Sequence, residues 1–178
     1  KIAAHNRFTD GSITTERFFT RPHTPENFRA VEIIDTAVEV VWDQCDGILD
    51  YDINVYDDNN HVAKVVLNNK TSHEFTDLLP NHHYIIVIRA YGHVVSHPAT
   101  LKLYTKIQGV DYLTMTEVYD DTMNLDWKEA NGATHYLVYF NYDDGEERVE
   151  RSDISEIKLE KLTPNSIYTI KVVGMNTN

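Results

Sequence analysis

One seven-residue frame occurs twice in this chain and limits what it can fold into more than any other feature. Leu78-Leu79-Pro80-Asn81-His82-His83-Tyr84 returns 84 residues later as Leu162-Thr163-Pro164-Asn165-Ser166-Ile167-Tyr168, sharing Leu-x-Pro-Asn-x-x-Tyr. Pro presets φ and Asn tolerates the left-handed region, so each frame predicts a turn. An apolar run follows each one, at 84–88 and 168–172. The Tyr that opens it can bury its ring and send its hydroxyl back to the backbone of the turn. In a chain of 178 residues, a period of about 85 means repeated units rather than one large domain.

The rest of each unit reads as strands. In the first, Phe28, Val31 and Ile33 open an edge strand. Val38-x-Val40-x-Trp42 and Tyr51-x-Ile53-x-Val55 alternate, which places each trio on one face. Runs at 62–67, 71–78, 84–91 and 98–105 complete seven short strands separated by turn residues, the pattern of a β-sandwich. The second unit repeats the first at an offset of 85, with Met123-x-Leu125-x-Trp127 and Tyr136-x-Val138-x-Phe140. Its strands run from 110–118 to the run after Tyr168, where the sequence ends with no seventh strand. Helical periodicity is absent. The structural core is expected to contain Trp42, Trp127, Tyr84, Tyr168, Leu78 and Leu162, with Pro80 and Pro164 fixing the two turns.

The first 22 residues fit the same register. Ile2-x-Ala4-x-Asn6 is similar to Ile88-x-Ala90-x-Gly92, Asp10-Gly11 is a hairpin signal, and 13–20 is read as the return strand. Pro22 and Pro25 mark a boundary, since Pro cannot donate to a central ladder. The expected organisation is therefore a terminal hairpin of an upstream unit (1–22), for which a leader of no fixed structure is the alternative, a full unit (23–105) and a unit lacking its last strand (106–178). An absent last strand would leave unpaired backbone groups along Thr169, Lys171, Val173 and Met175, a template for another strand. Residues 11–20 of a neighbouring molecule, or chain beyond Asn178, would fill that edge.

Composition removes several function classes. A net charge of −12, with Lys and Arg scattered, opposes nucleic-acid binding. With no apolar run of 18 residues, no membrane contact is expected of this segment. A single Cys, Cys45, rules out an internal disulfide.

No catalytic, cofactor or metal site is expected. His93-x-x-x-His97 and His82-His83 lack partners that would complete a zinc set, and are read as exposed loop residues. Acidic clusters at Asp57-Asp58, Asp120-Asp121 and 143–147 fall in turns and match no calcium loop. Cys45 sits beside Asp43 and Asp46, which raise a thiol's pKa; it is read as an ordinary free thiol or a site of intermolecular disulfide formation. Asn69-Lys70-Thr71 is a glycosylation sequon and marks where a glycan would go, without proving secretion.

Taken together, a strand ending in Trp, a following Tyr-x-hydrophobic strand, and Leu-x-Pro-Asn-x-x-Tyr about 41 residues after the Trp resemble the fibronectin type III module. The resemblance covers 23–178 in two register-matched copies, with 1–22 as a partial third. It implies immunoglobulin-like sandwiches in tandem, without disulfides and without an active site, as in receptor and adhesion ectodomains. Arg-Gly-Asp does not occur. The expected function is a non-catalytic extracellular segment of a cell-surface receptor or adhesion protein. Its partners would be a protein ligand or neighbouring repeats, or another copy through strand exchange. The rival readings are a mechanical spacer of the intracellular muscle type and an accessory module of a secreted enzyme.

Overall fold

Strict alternation of apolar and polar residues is satisfied when two sheets bury one face each, and the chain does this twice. The computed structural model describes residues 13–58, 60–142 and 145–177. The first sandwich contains β1 (Arg29–Ile33), β2 (Val38–Val41), β3 (Asp50–Asp57), β4 (Asn60–Asn68), β5 (Ser72–Phe75), β6 (His83–Tyr91) and β7 (Ala99–Tyr104). Its sheets have the orders β1-β2-β5 and β4-β3-β6-β7, with antiparallel pairing throughout. Tyr51, Ile53 and Val55 from β3, Ile86, Ile88 and Ala90 from β6, and Val38 and Val40 from β2 are fully buried between them. The Trp42 ring closes one end of this core, 5.4 Å from the ring of Tyr51. A bulge between Ala30 and Glu32 turns Val31 out to solvent while Ala30 and Ile33 pack on the core.

The second sandwich contains β8 (Asp111–Val118), β9 (Met123–Lys128), β10 (His135–Tyr142), β11 (Arg148–Ser152), β12 (Glu156–Leu159) and β13 (Tyr168–Met175). Its sheets have the orders β8-β9-β12 and β11-β10-β13. Leu125, Trp127, Tyr136, Val138, Phe140, Leu159 and Leu162 form a core cluster separate from the first. Backbone geometry repeats along with the side chains. The positive-φ residues Asn27, Gly47, Asp77 and Asn81 recur at matched positions as Tyr112, Gly132, Lys161 and Asn165.

Two tyrosine anchors hold each sandwich. At the Pro-Asn frames, the Tyr84 hydroxyl accepts the Leu79 N–H at 3.0 Å and the Tyr168 hydroxyl accepts the Thr163 N–H at 2.8 Å. At the opposite pole, Tyr51 accepts the Cys45 N–H at 2.7 Å and Tyr136 accepts the Ala130 N–H at 3.0 Å. The sequence reading had Tyr51 and Tyr136 only as inward side chains.

The N-terminal stretch departs from expectation. Residues 15–20 form no strand, although 13–20 reads as one. A strand needs a neighbour for its ladder, and the sheets of the first sandwich are built without this stretch. The expectations for residues 1–12 lie outside the described residues. In the second sandwich β13 pairs only with β10, and its other edge has no partner among the described residues.

Candidate functional site

The place where the two sandwiches meet is built by both poles at once. On the first sandwich, the turn around Pro80 is pinned by Thr105, which is 3% exposed. Its hydroxyl donates to Leu79 O at 2.6 Å and accepts the His82 N–H at 2.9 Å, while its own N–H donates to His82 O at 3.0 Å. Asn81 N–H donates to Lys106 O at 2.8 Å, and Lys106 N–H to Ile34 O at 3.1 Å. The linker therefore leaves the first sandwich with its backbone already satisfied.

On the second sandwich, Tyr136 fixes the turn at Ala130, and the Ala133 N–H closes it on Ala130 O at 3.1 Å. Gln108 then pairs with Asn131 in both directions. Its N–H donates to Asn131 O at 3.2 Å, and its Oε1 accepts the Asn131 N–H at 3.3 Å. Between the two sandwiches, Asn81 Nδ2 donates to Gly132 O at 3.3 Å. Gly132 has φ +86°, and a Cβ placed there would sit 2.4 Å from Asn81 Cβ. Only glycine permits this approach. Sequence reasoning missed the contact, although Gly132 repeating Gly47 in the turn after each Trp was a visible signal.

The corresponding pole of the first sandwich faces the N-terminal stretch. Phe19, Arg21 and Pro22 line an open groove there with Gly47, Ile48 and His93, and the Phe19 ring lies 4.0 Å from that of His93. Cys45 is buried rather than exposed in its turn, 7% accessible, with its Sγ 3.7 Å from His23 O. Burial pushes its thiol pKa up, and Glu26, Asp46 and Asp43 add to this against an opposing hydrogen bond with Tyr51. Such a thiol is a poor nucleophile and a poor partner for disulfide exchange.

The outer face of β4-β3-β6-β7 carries a polar network that alternation alone did not indicate. Asp52 and Asn54 point away from the core yet are only 5% and 7% exposed. Lys64 Nζ lies 3.2 Å from Asp52 Oδ2, Asn54 Nδ2 donates to Asp52 Oδ1 at 2.9 Å, and His61 Nε2 meets Asn54 Oδ1 at 3.0 Å. Long β4 side chains folded across β3 bury these groups.

His82 and His83 are half-buried rather than exposed. His82 Nε2 makes an electrostatic contact with Asp57 at 2.7 Å without hydrogen-bond alignment. His83 lies 3.8 Å from Asp58 and packs at a tilt against Tyr104, with the ring centroids 5.0 Å apart. His93 and His97 are exposed, as are Asp120 and Asp121. No group of three or more His, Cys, Asp or Glu could hold a metal ion among the described residues. Asn69 is exposed with φ 51°, in the turn between β4 and β5. Among the described residues no helix is long and apolar enough to cross a membrane.

Trp42 and Trp127 are 3% and 5% exposed, Leu78 and Leu162 5% and 8%, and Tyr84 2%. Tyr168 and Pro80 are half-buried and Pro164 is exposed. Along β13, Thr169 and Lys171 are exposed and Val173 and Met175 half-buried.

Two consecutive stretches, 23–106 and 108–178, match the profile of the fibronectin type III domain. Human tenascin-R is 22% identical over 166 residues, covering 88% of this chain, and Gallus gallus tenascin-R is 27% identical over 169 residues, covering 89%. The chain spans about 12% of the length of these relatives. Among solved structures, a two-domain fibronectin type III segment of chicken tenascin superposes with a TM-score of 0.64 at 18% identity. The match covers 84% of this chain and 90% of that one.

Proposed function

Because the chain belongs to the fibronectin type III family through both of its halves, we propose that it is a non-catalytic extracellular segment of a cell-surface or matrix adhesion protein. It holds two sandwiches end to end and presents their outer faces to protein ligands or neighbouring repeats. The observation that carries this reading is the junction itself. Its linker is hydrogen-bonded to both sandwiches, and a glycine is placed where no side chain would fit. A chain selected only to fold two independent domains has no need of that contact, whereas one that spaces and orients binding faces does. Its domain limits on this reading are 23–105 and 106–178, with Lys106 the last residue hydrogen-bonded to the first sandwich.

The extracellular assignment draws support from the tenascin relatives, which are matrix or cell-surface adhesion proteins. An exposed Asn69 is open to N-glycosylation on the same reading. An antibody raised against this segment should stain intact, unpermeabilised cells or their matrix. Staining only after permeabilisation would refute the extracellular reading.

A further inference from the structure

Two asparagine side chains stand at the junction, and only one of them is occupied. Asn81 is committed: its carboxamide donates to Gly132 O at 3.3 Å, and the next backbone N–H, that of His82, donates to the Thr105 hydroxyl at 2.9 Å. Asn131 is the opposite case. Gln108 takes its backbone N–H and O, yet its carboxamide makes no hydrogen bond among the described residues, and neither does the N–H of Gly132 that follows. Both residues are exposed. Asn131-Gly132 is also the only Asn-Gly pair in the sequence.

The pair forms the middle of a turn. Ala133 N–H donates to Ala130 O at 3.1 Å, and Gly132, at φ +86°, takes the position that requires positive φ. Ala130 is 2% exposed, and the Tyr136 hydroxyl holds its N–H. Both alanines press on Gly174: a Cβ there would lie 3.5 Å from that of Ala130, 3.2 Å from that of Ala133 and 3.5 Å from Ile107 Cγ2 of the linker. The ends of the turn are thus fixed by packing, while its two middle residues are open to water. That combination suits one reaction. A backbone nitrogen attacks the preceding asparagine carboxamide most readily when no hydrogen bond ties it and no side chain crowds it, and glycine crowds it least.

We propose that Asn131 deamidates spontaneously in the folded protein and that its isoaspartyl product releases the junction. The Gly132 nitrogen bonds to Asn131 Cγ, the Cγ–Nδ2 bond breaks, and ammonia leaves with the proton that Gly132 gives up. Water then opens the cyclic imide. Addition at Cγ restores the ordinary backbone with an aspartate side chain. Addition at the main-chain carbonyl leaves the backbone running through Cβ and Cγ, with the carboxylate on Cα. The sum is one water consumed and one ammonia released, with no oxidant or cofactor. The isoaspartyl backbone is longer by one carbon, about 1.5 Å of path, between ends that Tyr136 and Gly174 hold in place. The N–H and carbonyl flanking this residue then no longer have the spacing that lets both meet Gln108, and Gly132 O is carried away from Asn81. The equivalent turn of the first sandwich has Asp46 before Gly47, and so no amide to lose. The chemistry is independent of the proposed function; its consequence rests on the reading that the junction orients the two sandwiches.

The test is to age the whole folded chain in mildly alkaline buffer and map it by tandem mass spectrometry. The peptide 129–148 should gain the mass difference between OH and NH2 at Asn131, ahead of every other asparagine, and separate into two isobaric products. The rate should rise with hydroxide concentration. In the isolated isoaspartyl fraction, hydrogen exchange at the Gln108 amide should quicken roughly tenfold or more, the equivalent of losing one or two neutral hydrogen bonds. Asn131→Gln, whose longer side chain closes a less favourable ring, should stay unmodified and keep its protection. Fresh Asn131→Asp, which has the charge without the extra backbone carbon, should keep it too. Modification of Asn131 only after denaturation overturns the proposal and leaves the orienting junction standing. An isoaspartyl chain with unchanged Gln108 exchange overturns the release, and with it the orienting role of the junction. Loss of protection in fresh Asn131→Asp overturns the added backbone carbon as the cause.

Discussion

Gly132→Ala tests whether the junction is a specific contact or two sandwiches that merely happen to touch. At φ +86° an alanine pays about 1–2 kcal/mol for its Cβ in the left-handed region. Gly47→Ala is the internal control, since Gly47 has φ +70° in the equivalent turn with nothing within 4 Å of an added Cβ. Both variants should therefore lose about 1–2 kcal/mol from their own sandwich. Only Gly132→Ala also drives a Cβ to 2.4 Å from Asn81 Cβ, a separation that cannot persist. The junction must then open. What resists opening is the Asn81–Gly132 bond at 3.3 Å and the two Gln108–Asn131 bonds at 3.2 and 3.3 Å, each worth about 0.5–1.5 kcal/mol. These long bonds should yield before the turn does. Hydrogen exchange at the Gln108 and Asn131 amides should speed up in Gly132→Ala and stay unchanged in Gly47→Ala, and small-angle scattering should report a broader range of shapes only for the former. Adding Asn81→Gly removes the opposing Cβ and should restore amide protection while leaving the backbone cost in place. Unchanged exchange and scattering in Gly132→Ala would refute the claim that this glycine sets the approach.

Trp42→Ala and Trp127→Ala should each cost about 3–5 kcal/mol and lower the unfolding temperature of one sandwich, because the two tryptophans belong to separate core clusters. Calorimetry should show two transitions of which a given variant moves one; a single transition abolished by either would mean a shared core. For Cys45, burial and then the nearby carboxylates hold the thiol above its ordinary value of 9.0, so alkylation should be slow in the native protein at neutral pH and fast in denaturant. Since the folded pKa is raised, the associated stability is present below the unfolded thiol's pKa and declines as pH rises through the folded one. Equal alkylation rates in native and denatured protein would contradict the buried placement.

Much of this protein was legible before any coordinate. The frames Leu-x-Pro-Asn-x-x-Tyr, the two Trp-ended strands and the alternation at Tyr51-x-Ile53-x-Val55 specify a sandwich twice over, because strand period, turn chemistry and core placement are local properties of sequence. Tyr84 and Tyr168 even announced their bonds, since the ring and its backbone partner are five residues apart. What depended on distant segments meeting was not legible. Asp52 and Asn54 fall on the face opposite Tyr51, Ile53 and Val55, and they are buried there because Lys64 and His61 reach them from β4. Residues 15–20 have strand composition but form no strand, since a strand exists only where a partner ladder does. His82 looked like a loop residue until the β3–β4 turn brought Asp57 to it. Gly132 could be seen as a turn glycine, but that Asn81 lies against it, 51 residues away in sequence, was decided by the tertiary structure alone, because neither turn encodes which surface the other will meet.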